Sequence, residues 1–147
     1  MANKIIMRVP DNWHCHLREA LLLIFMIKWL VRSGFRGRVL AEPNTTKAIL
    51  DHVRLKEYKL EVQNAIRSVC QGGVLEPTIV YSIQITEDTT PEMIYAAHAA
   101  GVRVAKVYPR FVTTNSLNGV LEYRKILPAL RAAAECGWVV QFHCEEI

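Results

Sequence analysis

The four cysteines of this 147-residue chain, Cys15, Cys70, Cys136 and Cys144, include no CxxC pair. That spacing excludes a thiolate zinc finger, and the cysteines are too sparse for the disulfide framework of a small secreted domain. A reducing, cytoplasmic setting is expected. Aromatic residues are few, at 8%. The basic residues carry the net charge to +4 but neither form a block nor interleave with aromatics, so no nucleic-acid partner is expected. Neither GxGxxG nor GxxxxGK[ST] is present, which removes the usual nucleotide cradles. Long apolar runs are missing too. ALLLIFMI at 20–27 meets Lys28, short of the ~18–20 residues that span a bilayer. It also lacks the basic lead-in and cleavage site of a signal peptide. It reads as a buried amphipathic helix, and no membrane partner is expected.

What is present is a globular composition, 51% hydrophobic and 22% charged, at a length suited to one core. Punctuation and periodicity alternate along the whole chain. Strands are expected at Lys4–Val9, Arg38–Ala41, 77–85, 102–108 and 138–143. Helices are expected at Ala20–Ser33, at Lys47–Val69 capped by Thr46 and ended by Gly72 and Gly73, from Pro91 to Gly101 capped by Thr90, and at Leu121–Cys136. Such alternation argues for a parallel α/β sheet with right-handed crossovers. Two architectures remain: a five-stranded doubly wound domain, or part of an eightfold barrel, which needs about 250 residues when complete.

In either, ligands bind beyond the carboxyl ends of the strands, so the residues standing there carry the interest. DNWHCHLR (11–18) follows the first strand. Residues i and i+2 of an extended segment share a side, so His14 and His16 can offer two imidazoles to one ion while Cys15 faces away. Alone, the pair is equally an ordinary loop motif. Asn44 follows the second strand and His143 the fifth, whereas His52 and His98 fall within expected helices. This segregation of histidines to strand ends favours a metal site. Lys106 lies inside the apolar fourth strand. Buried there, its ammonium is costly and the amine turns neutral and nucleophilic; turned outward, it is only a solvated lysine whose stem covers a helix.

Taken together, VPDNWHCHLRE (9–19), EPNTT (42–46), AKVYPRFVTTNSLNGV (105–120), ILPAL (126–130) and FHCEE (142–146) resemble the amino-terminal part of a dihydroorotase. The type is the single-function one, within the amidohydrolase superfamily. The resemblance implies a TIM-type (β/α)8 barrel of which residues 1–147 supply about the first four to five β/α units. It implies two zinc ions, with His14 and His16 on the more buried one, a CO2-derived carbamate on Lys106 bridging both, and His143 on the second. Arg18 and Asn44 match the residues that hold the carboxylate of a small acidic substrate, and Thr113 and Thr114 match hydroxyl residues near the active site. The implied reaction is the reversible cyclisation of N-carbamoyl-L-aspartate to L-dihydroorotate in pyrimidine biosynthesis.

The family's remaining zinc histidine and its acid–base aspartate come from later strands, so full catalysis by these 147 residues alone is not expected. A fragment of a longer enzyme, a homo-oligomer, or association with the missing barrel half would each accommodate this. The alternative is a catalytically silent relative that binds metal or carboxylate ligands or serves as an assembly partner. Locally, Glu19-Ala20 stands where aspartate and glycine are usual, and Glu42 where methionine commonly precedes Pro-Asn. Arg110-Phe111-Val112 is bulkier than usual, and Cys144 replaces a glycine.

Overall fold

Neighbouring strands in the sheet are neighbours in sequence. The computed structural model describes residues 6–70 and 76–145, which form β1 (Asn12–Cys15), α1 (Ala20–Arg32), β2 (Arg38–Ala41), α2 (His52–Val69), β3 (Thr78–Ile85), α3 (Pro91–Ala99), β4 (Val104–Val107), α4 (Leu127–Glu135) and β5 (Val139–Phe142). The order is β1-β2-β3-β4-β5 and every pair is parallel. A doubly wound sheet reverses its strand order at a switch point. No reversal occurs among these strands. The sheet also curls, since the Gln141 amide on β5 donates to the Trp13 carbonyl on β1 at 3.1 Å. The architecture is a partial TIM-type barrel.

Side-chain alternation sorts the two faces of this sheet. Val39, Ala41, Ile83, Ile85, Ala105 and Val107 join the apolar core against the helices, with Leu23, Ile27, Leu55, Val62, Ile94 and Ala129. The alternate positions, Leu40, Ser82, Gln84 and Lys106, turn to the concave side, as a period of two requires. Gln84 and Gln141 are the register partners of Lys106 on either side. One layer of the interior is therefore polar.

Several boundaries depart from expectation for local reasons. The first strand is not at Lys4–Val9: residues 4 and 5 lie outside the described residues, and Ile6, Met7 and Val9 are exposed outside the sheet. The Asp11 carboxylate takes the Arg38 amide at 2.7 Å and its guanidinium at 2.6 Å, so the ladder begins only at Asn12. Just before it, the Pro10 carbonyl crosses so close to Gly37 that any Cβ there would meet it at 1.8 Å. The second helix starts at His52, not Lys47, and its cap is Asp51, not Thr46. Asp51 accepts from the Arg54 amide at 2.8 Å, while the Thr46 amide is taken by Glu19 at 2.6 Å. Its expected end at Gly72 and Gly73 lies outside the described residues. The third helix keeps its Thr90 cap. The fourth opens as a 3-10 turn at Tyr123–Ile126 before Pro128 admits α-helix; proline suits a first turn and not an interior.

All four cysteines are unpaired. Among the described residues no helix is long and apolar enough to cross a membrane.

Candidate metal centre

His14 lies within β1 rather than beyond it, and His16 follows directly. Between Asn12 and Cys15 the register with β2 slips, three residues matching two. Such bulges re-aim side chains. Cys15 and Leu17 are buried toward the helices, which leaves His14 and His16 on the concave side, as the i, i+2 spacing led one to expect. Their Nε2 atoms stand 3.2 Å apart. Two nitrogens bound at 2.0–2.1 Å to a tetrahedral zinc are separated by about 3.3 Å, so this spacing fits a chelating pair.

Beneath them lie two charged side chains. Lys106 is only 3% exposed and Glu42 1%, so the lysine points inward, not to water. Glu42 Oε1 is 3.8 Å from Lys106 Nζ and 3.6 Å from His14 Nδ1. Neither Glu42 oxygen has a hydrogen-bond partner, nor do His16 Nδ1, the Tyr108 hydroxyl or Gln141 Oε1. Buried polar atoms are paired in the great majority of cases, and exceptions call for an explanation. A cluster of orphans around two converging imidazoles has the chemistry of a site that takes a ligand. Glu42 was legible in the sequence only as a departure from the usual methionine; its acidic side chain directly after a strand was the signal.

Electrostatics keep the imidazoles ready as ligands. Burial, helped by Arg18, His14, Lys106 and His143, holds His16 down to about 4. Burial, then Lys106 and His143, lowers His14 as well. Both rings are thus neutral near pH 7, the form that binds metal. Burial pushes Glu42 up, against the opposing pull of Lys106, Tyr108 and His143.

His143 follows β5 and shares an open cleft with His14, Lys106, Gln141 and Glu145. Its Nε2 is held 2.7 Å from Glu145. Among the described residues no three His, Cys, Asp or Glu side chains gather closely enough to hold a metal by themselves. The residues at hand thus offer an ion a chelating histidine pair, with Lys106 in the same cleft, rather than a full set of ligands.

A second cluster adjoins the first. Arg18 adopts φ +62°, a left-handed conformation that non-glycine residues rarely take, and this swings its Nη1 onto Asn44 Oδ1 at 2.8 Å. Asn44 in turn donates to the Thr114 carbonyl at 2.7 Å and accepts from Asn115 at 3.2 Å. Thr114 thus enters through its backbone, and Thr113 through an amide bonded to Ser116 at 3.2 Å. Neither hydroxyl is what meets Asn44. Ala20, at the position where glycine is usual, has φ +51°, which accounts for that preference. Glu19 ties this entry down through Arg54 at 3.0 Å.

No family model matches the chain. Sequence relatives do. A dihydroorotase of Marinobacter nauticus is 34% identical over 145 residues, and one of Pseudomonas savastanoi pv. phaseolicola is 35% identical over 146. The resemblance is to dihydroorotases. It covers 99% of this chain but 40% of each of those relatives, so the chain spans about two fifths of their length. Among solved structures, dihydroorotase from Saccharomyces cerevisiae in complex with 5-fluoroorotic acid superposes with a TM-score of 0.77 at 28% identity. The overlap is 93% of this chain and 36% of the yeast one. A dihydroorotase from Campylobacter jejuni (TM-score 0.76, 21% identity) and an L-hydantoinase from Arthrobacter aurescens (TM-score 0.70, 15% identity) share the fold. Against the dihydroorotases, this chain corresponds to an amino-terminal part.

Proposed function

We propose that these residues form the amino-terminal, metal-binding part of a dihydroorotase-type zinc amidohydrolase acting on a small acidic substrate in pyrimidine biosynthesis. The observation that carries the reading is the pair of Nε2 atoms 3.2 Å apart on the concave face, above a buried lysine. In this reading His14, His16 and Lys106 hold the more buried zinc, Lys106 as a CO2-derived carbamate, and His143 turns from Glu145 to serve the second. A zinc so bound acidifies water and polarises a carbonyl. Arg18 offers the rest of its guanidinium to a carboxylate while Nη1 stays on Asn44, a charge-assisted fork that selects acidic over neutral cyclic amides. Likeness to dihydroorotases over nearly the whole chain supports this assignment.

The outward strands β1 and β5 support a further proposal, that the missing barrel strands or a second copy complete the sheet. Val139 and Phe142 on β5 are 61% and 44% exposed, apolar surface of the kind covered by a partner. Purified chain supplied with zinc, bicarbonate and L-dihydroorotate tests the reading. Ring opening that depends on zinc and is lost with Lys106→Met, by the chain alone or once the later barrel strands are supplied with it, supports it. Retained zinc and ligand binding without turnover in either case supports the silent relative instead, and binding of neither overturns both.

A further inference from the structure

Glu42 is the most deeply buried carboxylate of the cluster, and the dihydroorotase reading does not use it. It directly follows β2, which ends at Ala41, and the alternation of that strand sends it to the concave side with Leu40. Its Oε1 faces two groups at once, His14 Nδ1 at 3.6 Å and Lys106 Nζ at 3.8 Å. Both of its oxygens lack hydrogen-bond partners.

The placement is informative because His14 presents its two nitrogens in opposite directions. Nδ1 faces Glu42, and Nε2 faces His16 Nε2. A neutral imidazole has one ring hydrogen, and a ring nitrogen binds a metal only through a lone pair. The nitrogen that carries the hydrogen is set by what lies beyond it. A carboxylate behind the ring favours the hydrogen on Nδ1, leaving Nε2 bare, and raises the ligand's basicity. At 3.6 Å the contact is longer than a hydrogen bond, and the His14 side chain is 55% exposed, so packing does not lock its ring. Methionine at this position offers neither acceptor nor charge.

We propose that Glu42 is a positioning residue of the metal centre: its carboxylate keeps the ring hydrogen of His14 on Nδ1 and so aims the Nε2 lone pair, beside that of His16, at the ion. The proposal rests on the reading of His14 and His16 as zinc ligands.

The test uses the 147-residue chain, labelled with 15N in its histidine rings, and zinc competed against a chromophoric chelator. In the metal-free protein the His14 ring is expected as the Nδ1–H tautomer, and Glu42→Met is expected to shift it toward Nε2–H. Zinc affinity is expected to fall about 10- to 100-fold in Glu42→Met. Glu42→Gln, whose amide oxygen still accepts, is expected to lose less. Zinc bound by the unaltered chain with His14 as Nε2–H, or with equal affinity in Glu42→Met, overturns the role of Glu42 and leaves the histidine pair standing. No zinc bound by the unaltered chain overturns both. Should Glu42→Met fail to fold, the tautomer of the unaltered chain still decides.

Discussion

Two clusters a few residues apart at the strand ends are built on opposite plans. The Asn44 side-chain amide is answered at both ends: Arg18 donates to it, Asn115 donates to it, and it donates to Thr114. Around His16 and Glu42 the buried polar atoms are left without partners. The first cluster joins the β1–α1 entry to the loop after β4 through one Arg18 nitrogen, Nη1, and leaves the rest of that guanidinium for a carboxylate. The second is unfinished in protein terms, and what would finish it is a ligand.

The contrast breaks most directly at the histidines. His16→Ala is expected to lower zinc affinity on the order of 100-fold or more, beyond the loss typical of an outer partner, while the urea midpoint of the metal-free chain barely moves. Chelator competition and urea unfolding read the two sides. Next comes the buried pair. Replacing Glu42 and Lys106 together by methionine removes two buried charges whose desolvation their mutual attraction repays incompletely. The double variant is expected to stabilise the metal-free chain by about 1–4 kcal/mol. Either single variant, leaving one charge unpaired, is expected to destabilise it; urea melts compare all three.

Asn44→Ala should behave in the opposite sense to the double variant. It strands the Arg18, Asn115 and Thr114 groups and costs about 1–3 kcal/mol, again by urea unfolding. The smallest effect concerns the loop after β4. The amides of Glu122 and Leu121, with Lys125, hold Glu87 down to about 2. Its folded value lies below the unfolded one, so its contribution is present above about pH 4.5 and is lost as pH falls toward 2. Glu87→Gln is expected to flatten that part of the stability–pH curve.

How much of this was legible in the sequence follows the same division. His14, His16 and His143 stood out because they gather at strand ends, and Lys106 because an ammonium inside an apolar strand is costly to bury; strand alternation put the histidine pair on one side, and the burial of Cys15 and Leu17 decides which. The barrel order was not legible from alternation, which a doubly wound sheet shares; it took the strand sequence and the Gln141–Trp13 contact. The start of β1 and of α2 were misplaced because tertiary partners decide them: Asp11 occupies the Arg38 amide, and Glu19 occupies the amide of Thr46. Hydroxyls at Thr113 and Thr114 drew attention in the sequence, yet the loop meets Asn44 through the Thr114 carbonyl and the Asn115 amide. Glu42 was visible as an oddity, but its burial comes from neighbours distant in sequence.

The most direct measurement is the zinc content per chain after equilibration with zinc and removal of the excess, by plasma mass spectrometry. The unaltered chain is compared with the His14→Ala, His16→Ala double variant. At least one zinc per chain, lost in the double variant while the fold persists, is the result expected if the orphaned cluster is a metal centre. Equal zinc in the two proteins, or none in either, would contradict it.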